Sequence, residues 1–73
     1  MTIQQEIIEG WMQLRQPGDV KIIADKAGCS AQNVYNVYRS GKCSEKLFNI
    51  MAAYYDERAK NYAELHKTIK AIL

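Results

Sequence analysis

The sequence predicts an all-α fold of four or five helices. Three observations carry this expectation. No segment alternates cleanly between apolar and polar residues, apolar residues recur at spacings of three and four, and no Gly or Pro follows Gly41. The chain has 73 residues, 48% of them hydrophobic and 25% charged, an ordinary globular composition for a single domain over 1–73.

Thr2 followed by Gln5 reads as a capping box. Ile3, Ile7, Ile8, Trp11 and Leu14 then mark a first helix over about 3 to 16, weakened at Gly10 and ended by Pro17-Gly18. Asp19 is placed to cap a short second helix, whose Val20, Ile23, Ala24 and Ala27 line one face before Gly28 stops it. Ser30 caps a third helix with Val34 and Val37 inward, and Ser40-Gly41 closes it. Ser44 caps the last stretch. There Leu47, Ile50, Met51, Tyr54, Arg58, Tyr62, Leu65, Ile69 and Ile72 fall at spacings of one, three and four. An unbroken helix of about 29 residues is roughly 43 Å long, whereas a globule of this size is about 30 Å across. Either the helix breaks near Asp56–Glu57, or its end projects and needs cover. The obvious cover for about 57–73 is the same helix of a second subunit, so a homodimer is expected.

Composition excludes several classes. The apolar fraction is too high and the net charge of +2 too low for disorder. Two cysteines, Cys29 and Cys43, without a CxxC do not make a disulfide scaffold, and no apolar run approaches a membrane span of about 20 residues. The polar N-terminus shows no signal peptide, so a cytoplasmic protein with reduced, inert thiols is expected. Catalysis has no foundation: there is no Ser/His/Asp or Cys/His pair at plausible spacing, no metal cluster and no glycine-rich phosphate loop, and His66 reads as a surface residue. The chain reads as a non-enzyme needing no cofactor and no metal. Trp11, Ile7 and Leu14 read as core, Met12 and Met51 as gap-fillers, and Tyr54, Tyr55 and Tyr62 as core or dimer packing.

The charge is unevenly spread. Residues 1–19 carry Arg15 against Glu6, Glu9 and Asp19. Residues 20–46 carry Lys21, Lys26, Arg39, Lys42 and Lys46 against only Asp25 and Glu45, and residues 47–73 are nearly balanced. The middle third is therefore where a polyanion-binding face belongs.

The same third holds the informative spacing. Ala24 is small where a following helix must cross, Gly28 permits a tight turn, and Cys29 is a small hydrophobe after it. Val34 and Val37 then plug the angle between two helices. The stretch VKIIADKAGCSAQNVYNVYRSGK, with its motif over about 20–39, resembles the helix-turn-helix of phage-repressor-like (lambda-repressor-like) and Cro-like DNA-binding proteins. AGCSAQNV also resembles the corresponding part of lac-repressor-type headpieces. The likeness reaches about residue 56; the loop RSGKCSEK is short and differs from that of familiar repressors, so loop contacts carry over poorly, and the last 17 residues have no assigned counterpart.

The resemblance implies a small transcriptional regulator that binds double-stranded DNA with its third helix in the major groove. Ala31, Gln32, Asn33, Tyr35, Asn36 and Arg39 would then read bases: Gln and Asn pair with adenine, Arg with guanine, and Ala31 packs on a thymine methyl. Gln32 and Asn36 match positions that commonly read bases in the family. Lys21, Ser30, Lys42, Ser44 and Lys46 would meet phosphates, helped by free amides at the starts of the second and fourth helices. The ordinary reading of such polar positions is a solvated helix face. Two Asn residues, poor helix formers, and an exposed Tyr35 on so short a helix argue for a selected surface instead. Alternatives on the same fold are a protein-interaction adaptor, whose exposed third helix would bind a protein instead of DNA, and an antitoxin, which would bind both DNA and a toxin with the last helix as the toxin contact.

Overall fold

The computed structural model describes the backbone of residues 1–72 and the side chains of residues 1–65 and Lys67. Expectations for the side chains of His66, Ile69, Ile72 and Leu73 lie outside these described residues. Four helices follow in order: α1 Gln5–Leu14, α2 Asp19–Ala27, α3 Ala31–Ser40 and α4 Glu45–Ile72. The all-α class is as expected, with α2 packed on α3 and both α1 and α2 packed on the first half of α4. Ile23, Val34, Val37, Met51 and Tyr55 are completely buried at the centre. Each such aliphatic side chain contributes roughly 1.5–3 kcal/mol through removal from water. Trp11 stacks on Tyr55 with ring centroids 5.6 Å apart and is tilted against Phe48 at 5.9 Å.

The first residues depart from the capping-box expectation. Residue 4 is the N-cap of α1 and makes no side-chain capping bond, so the helix starts two residues late. Thr2 instead forms an antiparallel bridge with Lys42. The Ile3 amide donates to Gly41 O at 2.8 Å, and the Cys43 amide to Met1 O at 3.1 Å. The extended segment is preferred because it buries Ile3 and satisfies the loop's backbone. Ile7 and Met12 are exposed, correcting their expected places in the interior, because α1 turns only the Ile8–Trp11 side inward.

Asp19 also has another role than the one expected. The N-cap of α2 is Gly18, in the left-handed region at φ 91°, and Asp19 is the first helical residue. Its carboxylate is buried and fully partnered. Oδ2 accepts from the Gln16 amide at 2.8 Å and from Arg58 Nη1; Oδ1 accepts from the Tyr54 hydroxyl at 2.7 Å and Arg58 Nη2 at 2.9 Å. Arg58 Nη1 also donates to Leu14 O at 3.0 Å, capping the end of α1. Burial alone would raise the Asp19 pKa, but the hydrogen bonds from Arg58, Tyr54 and Gln16, with the Arg58 charge, outweigh it and hold the group at about 2. Arg58, which falls within an apolar series in the sequence, is thus the bolt between α4 and the α1–α2 turn.

The last helix does not break at Asp56–Glu57. It runs unbroken to Ile72 and gives the molecule its long axis, 42 Å against 24 and 18 Å across. Met51, Tyr55, Arg58, Tyr62, Leu65, Ile69 and Ile72 follow strict steps of four and three, one seam of seven-residue period. Its first members are spent on the core, while Tyr62 is 45% and Leu65 57% exposed. The remaining charged residues beyond Tyr55, namely Asp56, Glu57, Lys60, Glu64, Lys67 and Lys70, occupy register positions away from the seam and its flanks. No helix among the described residues is long and apolar enough to cross a membrane.

Candidate nucleic-acid interface

The α2–α3 turn is built as its residue types suggest. Gly28 adopts φ 67°, and the Cys29 amide reaches back five residues to Ala24 O at 3.0 Å, closing the end of α2. Ser30 Oγ accepts from the Asn33 amide at 3.3 Å and starts α3. Ala24 is buried against α3, and Val34 and Val37 have no exposed surface. Cys29 and Cys43 are free thiols, half-buried rather than fully buried, and burial pushes the Cys43 thiol up from its ordinary pKa.

With Val34 and Val37 fixed inward, the 3.6-residue turn decides the rest. Gln32 and Arg39 stand at the centre of the outward face, Asn36 and Tyr35 on its shoulders, and Ala31 and Asn33 at its edges. All six are exposed. Gln32 Nε2 donates to Asn36 Oδ1 at 3.1 Å, so the two amides act as one unit. The free Oε1 and remaining N–H of Gln32 form a donor–acceptor pair suited to an adenine edge.

A cleft lies along each side of this ridge. On one side Asn33, Asn36, Lys42, Ser44 and Lys46 line a groove of about 390 Å³, together with Ala27, Cys29, Ser40, Cys43 and Leu47. On the other, Ala31 and Tyr35 face Lys21 and Arg15 across a more open space of about 530 Å³. The expected phosphate residues therefore divide: Lys42, Ser44 and Lys46 on one flank, Lys21 on the other. Ser30 lines neither cleft. The Ser30 and Ser44 oxygens already accept from the Asn33 and Leu47 amides, at 3.3 and 3.2 Å, while their hydroxyl protons remain to donate to a phosphate. The loop carrying Lys42 is fixed by the extended N-terminal segment and by Ser40 Oγ, which accepts from the Lys42 amide at 3.4 Å and donates to Asn36 O at 2.9 Å.

Arg15 is the residue that sequence reasoning passed over. Counted within an acidic head, it belongs in space to the basic third. Its guanidinium carbon lies 4.7 Å from the Tyr38 ring centre and 5.5 Å from that of Tyr35. Only the pairing of Arg15 with tyrosines twenty or more residues away reveals this, and no local spacing encodes it. Tyr38 itself is anchored to the core by a hydrogen bond between its hydroxyl and that of Tyr55, and burial raises the pKa of both phenols.

Compared with protein-family models, curated proteins and solved structures, the chain has no match.

Proposed function

We propose that this chain is a DNA-binding protein rather than an enzyme, a cytoplasmic transcriptional regulator of the phage-repressor-like helix-turn-helix kind that lays α3 in the major groove of double-stranded DNA. One observation carries the reading: α3 turns Gln32, Asn36 and Arg39, all base-edge hydrogen-bonding types, outward on a ridge flanked on both sides by lysines. Gln32 and Asn36 read an adenine, Arg39 a guanine, Ala31 a thymine methyl, and Asn33 and Tyr35 the edges of the contact. Lys21, Lys42, Ser44 and Lys46 hold the backbone on either side, with Ser30 starting the helix.

The functional unit is a homodimer joined along the exposed continuation of the α4 seam. A second copy is favoured over an unlike partner because the seam's flanks carry no formal charge to select one. The two recognition helices would then stand about 34 Å apart and read a near-palindrome. Selection of bound duplexes from a random pool tests the reading directly. A two-fold-related consensus is expected, and Gln32→Ala should cost about 1–3 kcal/mol and relax one base pair in each half-site. Recovery of no consensus, or unchanged selection by both Gln32→Ala and Asn36→Ala, would remove the assignment of α3.

A further inference from the structure

The cleft between the end of α1 and the Tyr35 side of α3 has a chemistry of its own. Arg15 is half-buried, and its guanidinium leans on the rings of Tyr35 and Tyr38 without an acidic partner among the described residues. A cation on an aromatic shelf keeps its full charge while losing much of its freedom, so its N–H groups stay directed and unspent. Lys21 lines the same cleft, and Tyr35, 44% exposed, lies between this cleft and the outward ridge. No carboxylate is among the residues that line the cleft, and Asp19, next to it in sequence, has both oxygens engaged by Arg58, Tyr54 and the Gln16 amide, with Arg58 cancelling its charge. The cleft therefore presents two cations, neither in an ion pair among the described residues, and a phenol hydroxyl.

We propose that Arg15, with Lys21 and the Tyr35 hydroxyl, seats a backbone phosphate of the strand running past α3 opposite the Lys42–Lys46 groove. This rests on the DNA-binding reading above and moves Tyr35 from base reading to backbone contact. Planar guanidinium takes two phosphate oxygens at once, so the contact fixes how far α3 rolls in the groove as well as adding affinity. Arg58 is a positioning residue here: it keeps Asp19 from repelling the phosphate.

The test compares the wild type, Arg15→Gln and Arg15→Lys on a random-sequence DNA duplex, by fluorescence anisotropy over a salt series, with thermal melting of each protein alongside. Each phosphate contact adds about 0.9 to the slope of log affinity against log salt. Arg15→Gln should flatten the slope by about that amount, so that its binding falls roughly three- to fourfold less than the wild type's between about 50 and 200 mM salt. Arg15→Lys should keep the slope. A purely structural Arg15 would lower the melting temperature and leave the slope alone. An unchanged slope in Arg15→Gln, or equal flattening in Arg15→Lys, overturns the phosphate seat while DNA binding stands. A wild type with no salt-dependent duplex binding overturns the DNA-binding reading itself.

Discussion

Replacing Arg58 by Met tests the bolt that joins α4 to the α1–α2 turn. Met fills much of the same volume but donates nothing. Asp19, 2% exposed, would lose two of its four hydrogen bonds and its ion-pair partner, and Leu14 O would lose the Arg58 donor. Removing one member of a buried pair costs about 3–5 kcal/mol. Linkage offers a separate estimate from the same carboxylate. Its pKa falls from 3.8 to about 2 on folding, which stabilises the native state by about 2–3 kcal/mol at neutral pH. Because the folded pKa is the lower one, this stabilisation is complete above about pH 5 and is lost as pH falls through 3.8 toward 2. In Arg58→Met the Arg58 hydrogen bonds and charge no longer oppose burial, so the Asp19 pKa should rise from about 2 and acid should cost the variant less stability than the wild type. Urea unfolding at pH 7, 5 and 3 reads both effects. The stability gap between wild type and variant should be about 3 kcal/mol or more at pH 7 and shrink at pH 3. The double variant Asp19→Asn with Arg58→Met should recover part of the loss at pH 7. A pH 7 gap below about 1 kcal/mol, or one that widens on acidification, would refute the reasoning.

Three further outcomes follow from the geometry. Lys42→Ala should weaken binding to all duplexes alike and lower the salt slope by about 1, whereas a loss confined to one sequence would contradict a phosphate role. Leu65→Glu changes a residue that is 57% exposed in the single chain, so the melting of dilute protein should barely move while sedimentation shifts from dimer to monomer; a monomeric wild type would remove the seam. Gly41→Ala and Gly28→Ala both force a side chain into left-handed backbone, costing about 1–2 kcal/mol each. Only at Gly41 would the new Cβ also lie 3.2 Å from Ile3 O and from Ile8 Cδ1, so thermal melting should rank Gly41→Ala as the more damaging.

What the sequence made legible was local. Gly28, Ser30, Val34 and Val37 are each fixed by a turn, a cap or a helical period, and all four do what those patterns imply. The outward face of α3 follows from the same period. Thr2 misled because its spacing to Gln5 satisfies a capping rule, while the competing partner, Lys42, lies forty residues away. Asp19 misled similarly: a carboxylate at a helix start is read as a cap, whereas its side-chain partners, Tyr54 and Arg58, lie on α4. The one visible hint was Arg58, a charge where the apolar register required burial. Arg15 had no such hint, because its contacts with Tyr35 and Tyr38 exist only once the end of α1 is brought up to α3 by the fold.

The uninterrupted α4 has a mechanical consequence. Its buried half is part of the globule that holds α3, and its projecting half continues the same rod without a Gly or Pro at which to hinge. In the proposed dimer, joined along the seam and reading DNA through α3, the two heads would be welded to one shaft rather than hung from linkers. Their separation and phase are then properties of the protein. A site with the wrong number of base pairs between its halves must be twisted or bent to fit, and the stiffness of the intervening DNA, which no side chain touches, becomes part of what is recognised.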